Sequence, residues 1–180
     1  KSERVISVDF TRTNKLSARI TDVDVITDLM IHDIDLALFI NGPAKAVSAH
    51  GVCENDMIDF ASVQLTHENG CFSRIQASRV TEKKMRTIQA TCRDMFVDCD
   101  LLRKEVQISR QSELRVSEGE PYVISALEES VEVRPQEALL SELQAFVAVI
   151  RGELRQFPDH VAGLDAMRIC QRIRDMVHSA

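Results

Sequence analysis

Asp24, Asp28, His32 and Asp35 fall at i, i+4, i+8 and i+11 within D-V-D-V-I-T-D-L-M-I-H-D-I-D-L-A-L-F-I-N-G-P, residues 22–43. Wound as a helix from Asp24 to Ile40, at about 100° per residue, they share a stripe roughly 80° wide. Nearly everything outside the stripe is apolar: Val25, Ile26, Leu29, Met30, Ile31, Ile34, Leu36, Ala37, Leu38 and Ile40. A solvated helix shows the opposite balance. This one is therefore expected to be buried on most sides, with a thin seam of carboxylates and an imidazole. Buried charge is costly unless it is paired or employed, so the seam calls for a reason. Asp33 lies on the other side and needs a partner of its own.

Histidine, with an unperturbed pKa of about 6.5, suits proton transfer near neutral pH. An aspartate one turn earlier can hold the imidazole, or a neighbouring hydroxyl, in position. These residues also admit other readings. A His–Asp pair can be purely structural, and Asp24 can be no more than a carboxylate favoured at a helix start by the macrodipole. Asp28 and His32 at i, i+4 could share a metal, but no third ligand cluster supports one and no metal is assigned.

The seam needs a platform, and the rest of the chain reads as one. Arg4 to Thr13 alternates as a strand, with Val5, Ser7 and Asp9 against Ile6, Val8 and Phe10. Asn14 to Asp22 is polar and reads as a loop. Asn41-Gly42-Pro43 stops the central helix, since Gly tolerates a left-handed cap and Pro cannot continue. From Lys45 to Arg134 the period changes to two, and segments 45–53, 57–67, 71–80, 84–92, 94–102, 104–109, 112–117 and 122–133 read as strands. Glu68-Asn69-Gly70 favours a tight hairpin, and Glu118-Gly119-Glu120-Pro121 breaks the pattern again. Ala61, Val63 and Leu65 against Ser62, Gln64 and Thr66 give one packed face and one more polar face. Glu137 to Arg151 places Leu139, Leu143, Phe146 and Ile150 on one helical face, with Gly152 as its cap. Asp159 is positioned to cap a last helix carrying Leu164, Met167, Ile173 and Val177. The expected fold class is α+β: a large, mainly antiparallel β-sheet with helices on one face.

At 180 residues the chain is expected to be one domain, 1–180, with room for a substantial core. A net charge of −6 speaks against a nucleic-acid backbone or an anionic membrane as main partner. No apolar run approaches the length of a membrane span. Cys53, Cys71, Cys92, Cys99 and Cys170 are odd in number and lack a C-x-x-C pair. They read as small core residues in a reducing cytoplasm. The chain starts at Lys1, and its six glycines never form G-x-G, so it carries no dinucleotide fingerprint.

D-L-M-I-H-D-I-D-L-A-L, followed by N-G-P and a β-rich stretch, resembles the second domain of the glucose–fructose oxidoreductase / inositol dehydrogenase / MocA family. That family's pattern is an Asp, three residues, a His, then an Asp three residues on, and Asp28, His32 and Asp35 occupy those positions. The wording around them is most similar to members that oxidise the sugar 3-hydroxyl of UDP-N-acetylglucosamine, with Thr27 in place of a Leu. The similarity continues through N-G-C-F-S-R-I-Q-A-S-R-V (69–80) and R-P-Q-E-A-L-L-S-E-L-Q-A-F (134–146). It implies oxidation of a secondary hydroxyl on a sugar or nucleotide sugar, with His32 as acid/base and Asp28 as orienter or substrate-hydroxyl ligand. It implies NAD or NADP held mainly by a Rossmann domain, absent here, that precedes this one and carries a lysine sharing the proton relay. Arg12, Lys15 and Asp24 are then expected to border the substrate, and Asp35 to anchor the helix to neighbouring backbone. Arg79 and Arg86 lie on strands where the family often carries arginine, and surface ion pairs account for them equally well. A homo-dimer or tetramer through the open sheet face is expected, and this segment alone is expected to be inactive. A non-catalytic ligand-binding or oligomerisation module of the same fold is the competing reading, which the intact Asp28/His32 pair disfavours.

Overall fold

The computed structural model describes residues 4–15, 22–54, 57–111, 126–133, 136–153 and 159–179. Among the described residues eight strands form one sheet: β1 Val5–Lys15, β2 Ala44–Glu54, β3 Met57–His67, β4 Phe72–Ser78, β5 Val80–Cys92, β6 Met95–Asp100, β7 Glu105–Gln111 and β8 Ala126–Val131. Their spatial order is β2-β3-β4-β1-β5-β6-β7-β8. Neighbours in sequence from β2 to β4, and from β5 to β8, are antiparallel hairpins or meanders. The exception is β1, which enters between β4 and β5, parallel to the first and antiparallel to the second. The expected strand at 112–117 and the Glu118–Pro121 breaker lie outside the described residues.

Among the described residues three helical segments accompany the sheet. A π-helical turn over Ile26–Met30 leads without a break into α1, Ile31–Asn41. The others are α2, Ala138–Ile150, and α3, His160–His178. The core lies between one face of β1–β4 and the packed pair α1 and α3. Val8, Phe10, Ala61, Val63, Leu65, Ile75 and Ala77 meet Ile26, Met30, Ile34, Ala37, Ile169, Cys170 and Ile173 there, all buried. Period-two alternation sends Ser62, Gln64 and Arg74 to the opposite, exposed face, where Arg74 pairs with Asp9.

Both ends of α1 are held by polar contacts. At the C-terminus Gly42 takes φ +79°, a conformation that costs a side-chain-free residue little, and its N–H reaches the Leu38 carbonyl at 2.8 Å. The buried His67 ring bonds the Gly42 carbonyl at 2.7 Å and Ser73 Oγ at 2.9 Å, and Asn41 donates to the same Oγ at 2.9 Å. Every polar side chain in this buried knot thus has a partner. The last helix begins as its sequence indicates, with Asp159 Oδ1 accepting from Val161 and Ala162 N–H, both at 3.0 Å. By contrast, α2 has the expected apolar face, but Leu139, Leu143, Phe146 and Ile150 are exposed and no residue of the helix is buried. One expectation about the cysteines also changes: Cys71, Cys92 and Cys170 are buried, Cys99 is half-buried, and Cys53 is exposed.

Candidate active site

The N-terminus of the central helix is built by Asp24. Its Oδ1 accepts from the N–H groups of Ile26 and Thr27 at 2.9 and 2.8 Å, satisfying donors that a helix start leaves unpaired. Asp28 N–H bonds the Asp24 carbonyl at 3.0 Å in the ordinary four-residue step. The next turn is wider, and Ile31 N–H reaches back five residues to Ile26. One extra residue in a turn sets every later side chain back by as much as about 100°.

Arg79 fixes this irregular start from the sheet side. It stands between β4 and β5 with a side chain only 2% exposed. Its Nη1 donates to the Val23 carbonyl, and its Nη2 donates to the Asp24 carbonyl at 3.2 Å and to Asp28 Oδ2 at 3.0 Å. A buried guanidinium thus holds both the backbone entering the helix and the first carboxylate of the seam. The surface ion pair expected of Arg79 is in fact a buried one.

The second clamp joins α1 to β1. Arg12 Nε and Nη2 donate to the two oxygens of Asp33 at 2.8 and 2.7 Å, a bidentate pair with side chains 10% and 4% exposed. Asp33, which periodicity placed away from the seam, has its partner here. Arg12 continues the inward-facing series Val8, Phe10 along β1.

Between the two clamps an open cavity of about 510 Å³ is lined by Arg12, Asp28, Leu29, His32, Arg86 and Leu101. That volume falls within the usual range for small-molecule sites. His32 is exposed to it and makes no hydrogen bond among the described residues. Asp28 and His32 are not bonded to each other; the carboxylate turns Oδ2 to Arg79 and has a side chain 30% exposed. Arg86 stands directly across from Arg12 on β5, half-buried, and its side chain has no partner among the described residues. It forms no surface ion pair.

The structure thus brings three of the expected site residues, Asp28, His32 and Arg12, to one cavity. The other expected residues are placed elsewhere. Asp24 is committed to the helix cap, with Arg174 of α3 at 3.4 Å from its Oδ2. Lys15 is exposed and paired with Glu82 at 2.8 Å. The Asp35 side chain is half-buried and makes no hydrogen bond to backbone among the described residues, so the helix anchorage expected of it is made by Asp33. No group of three or more metal-ligating side chains converges among the described residues.

Comparison with known proteins follows the same lines. The family model described as GFO/IDH/MocA C-terminal domain matches residues 7–95, from β1 to the start of β6. UDP-N-acetylglucosamine 3-dehydrogenase of Acidithiobacillus ferrooxidans is 31% identical over 163 residues, 89% of this chain and 51% of that protein. A solved structure of that enzyme superposes with a TM-score of 0.85 at 28% identity, over 97% of this chain and 54% of the other. Levoglucosan dehydrogenase, in complex with NADH and L-sorbose, shares the fold with a TM-score of 0.75 at 17% identity, over 98% and 57%. The chain spans about half the length of these relatives.

Proposed function

For a chain that belongs to the GFO/IDH/MocA family by its C-terminal domain, we propose the substrate-facing half of an NAD(P)-dependent oxidoreductase. It would oxidise a secondary hydroxyl of a sugar or nucleotide sugar, with the 3-hydroxyl of UDP-N-acetylglucosamine as the first substrate to try. The observation that carries this reading is His32, an exposed imidazole free of protein partners, beside Asp28 in a cavity lined by two arginines. A merely structural histidine would be expected to spend its ring nitrogens on the protein, as His67 does.

In this reading a ring nitrogen of His32 takes the hydroxyl proton as the carbon–hydrogen bond gives up its hydride. Asp28 Oδ1, the oxygen not engaged by Arg79, accepts a hydrogen bond from the substrate hydroxyl or from the imidazole and so fixes the reacting group. Leu29 and Leu101 supply apolar wall beside them and limit water. The hydride acceptor would be a nicotinamide dinucleotide. The described residues offer it no glycine-rich phosphate cradle, so no part of it is assigned to this chain and a nucleotide-binding domain is expected to hold it. By itself this domain is then expected to be inactive. The open sheet face is the proposed surface for dimer or tetramer formation.

The test is His32→Ala in the protein with its nucleotide-binding domain. A positioned acid/base is worth roughly 10²–10⁴-fold, so kcat for UDP-N-acetylglucosamine oxidation, followed as NAD(P)H absorbance, should fall at least about 10²-fold. The thermal midpoint should stay put, because His32 gives up no hydrogen bond within the described residues. Unchanged kcat in a folded variant would end the assignment.

A further inference from the structure

We infer that Arg86, with the edge of the Arg12 guanidinium that Asp33 leaves free, binds a phosphoryl-class anion carried by the substrate. The inference deepens the oxidoreductase reading and rests on it for what counts as substrate. Arg12 and Arg86 are register partners on antiparallel β1 and β5, so both side chains leave the same face of the sheet. Like charges set directly opposite one another are destabilising. Along this part of the sheet the buried or half-buried arginines Arg12 and Arg79 each meet a carboxylate, Asp33 and Asp28, while Lys83 and Lys84, which meet none among the described residues, are exposed to water. Arg86 meets none among the described residues, although it is half-buried in the cavity wall.

The carboxylates around the cavity do not pair with it, and Asp28 Oδ1, though free of Arg79, makes no bond to it either. Asp28 Oδ2 is held by Arg79, and both oxygens of Asp33 are held by Arg12. What remains is a positive charge beside Leu29 and Leu101, in surroundings less screened than open solvent. A guanidinium offers a planar fork of donors that fits phosphoryl oxygens two at a time. A neutral sugar would leave that charge unanswered, whereas a sugar bearing a phosphate or diphosphate would neutralise it and place its ring toward His32 and Asp28. Phosphoryl groups could come from the substrate or from the dinucleotide. We assign the substrate, because the same wall carries the groups that handle the reacting hydroxyl.

The experiment uses the protein with its nucleotide-binding domain, wild type against Arg86→Met and Arg86→Lys. UDP binding is measured by calorimetry, and initial rates are measured with varied UDP-N-acetylglucosamine, N-acetylglucosamine and dinucleotide. Losing a charge-assisted contact should raise the UDP Kd and the UDP-N-acetylglucosamine KM about tenfold or more. Arg86→Lys should recover part of the loss, and KM for N-acetylglucosamine and for dinucleotide should not move. The inference is overturned if the wild type does not bind UDP, if Arg86→Met leaves both constants unchanged, or if the dinucleotide KM takes the loss instead. Turnover of a sugar that depends on His32 but not on Arg86 would overturn this inference alone. UDP binding that depends on Arg86, in a protein that oxidises no sugar, would uphold the site while the reaction fell.

Discussion

Breaking the Arg12–Asp33 pair should cost more stability than any other single change at the cavity. The Arg12–Asp33 pair is doubly hydrogen-bonded at 2.8 and 2.7 Å, with side chains 10% and 4% exposed, and it joins α1 to β1. Deleting one member of a buried pair leaves the other charge without compensation, typically at a cost of about 3–5 kcal/mol. Asp33→Asn should fall at the lower end, about 3 kcal/mol, since cavity water still reaches part of Arg12. Arg12→Met should lie at the upper end, because the carboxylate it strands is the more buried partner. For a domain of this size, each kcal/mol moves the thermal midpoint by roughly 2–4 °C, so Asp33→Asn should melt about 6–12 °C early.

The double variant Arg12→Met/Asp33→Leu, set against Arg12→Met and Asp33→Leu alone, separates this reasoning from simple loss of packing. With both charges gone nothing is left unpaired, and a buried ion pair exchanged for apolar side chains is often close to neutral. Urea unfolding with a shared m-value gives the three free energies. The double variant should be less destabilised than the sum of the singles by about 2 kcal/mol or more. Additive singles, or an Asp33→Asn loss below about 1 kcal/mol, would refute the claim that this pair locks the helix to the sheet.

Asp28→Asn should also lower stability, by about 1–3 kcal/mol, because it leaves Arg79, buried on every side, without its counter-charge. Its rate effect must therefore be read on the folded fraction, by circular dichroism alongside kinetics. For the cysteines, iodoacetamide labelling at pH 8 followed by mass spectrometry should modify Cys53 first, because it is exposed. Cys170 should resist: burial, with Asp24 nearby, pushes its thiol from 9.0 up to about 11, against a smaller downward pull from Arg174. That raised value gives stability fully present below pH 9.0 and lost as pH climbs from there to about 11. A Cys170 that labels as fast as Cys53 would contradict the burial on which both statements depend.

The parts of the fold that sequence made legible are those governed by local rules. β3 runs over Met57–His67, as the alternation of Ala61, Val63 and Leu65 requires, and Asn69-Gly70 closes its hairpin with Gly70 at φ +86°. Asp159 caps α3 by the bonds its side chain was expected to make. Misplaced strand ends have local causes too. Leu101 and Leu102 read as strand because they are apolar, yet Asp100 Oδ1 captures the N–H groups of Leu102 and Arg103 and turns the chain before β7. Illegible were the features decided by distant partners. Nothing near Val5 announces that β1 will part β4 from β5, and nothing near Arg79 announces that the helix start will close over it. The regular apolar spacing of α2 announces its apolar face, but periodicity does not say what that face meets.

The seam is where local periodicity and tertiary structure disagree most usefully. A straight α-helix would put Asp24, Asp28, His32 and Asp35 in line and send Asp33 to the far side. The five-residue step from Ile26 to Ile31 breaks that geometry and sets the later side chains back by as much as about 100°. Asp33 is thereby swung toward β1, where Arg12 takes it. Asp28, inside the wide turn, and His32, just after it, both open onto the cavity. A π-helical turn costs hydrogen-bond quality and persists where something holds it. Here the holders are on either side, Arg79 at the entering carbonyls and Arg12 at Asp33. The irregular turn thus leaves Asp28 and His32 of the row with access to a ligand, commits Asp24 to the cap, and brings Asp33 from outside the row onto Arg12. That division lets the imidazole stand free of protein partners while its neighbours are tied down.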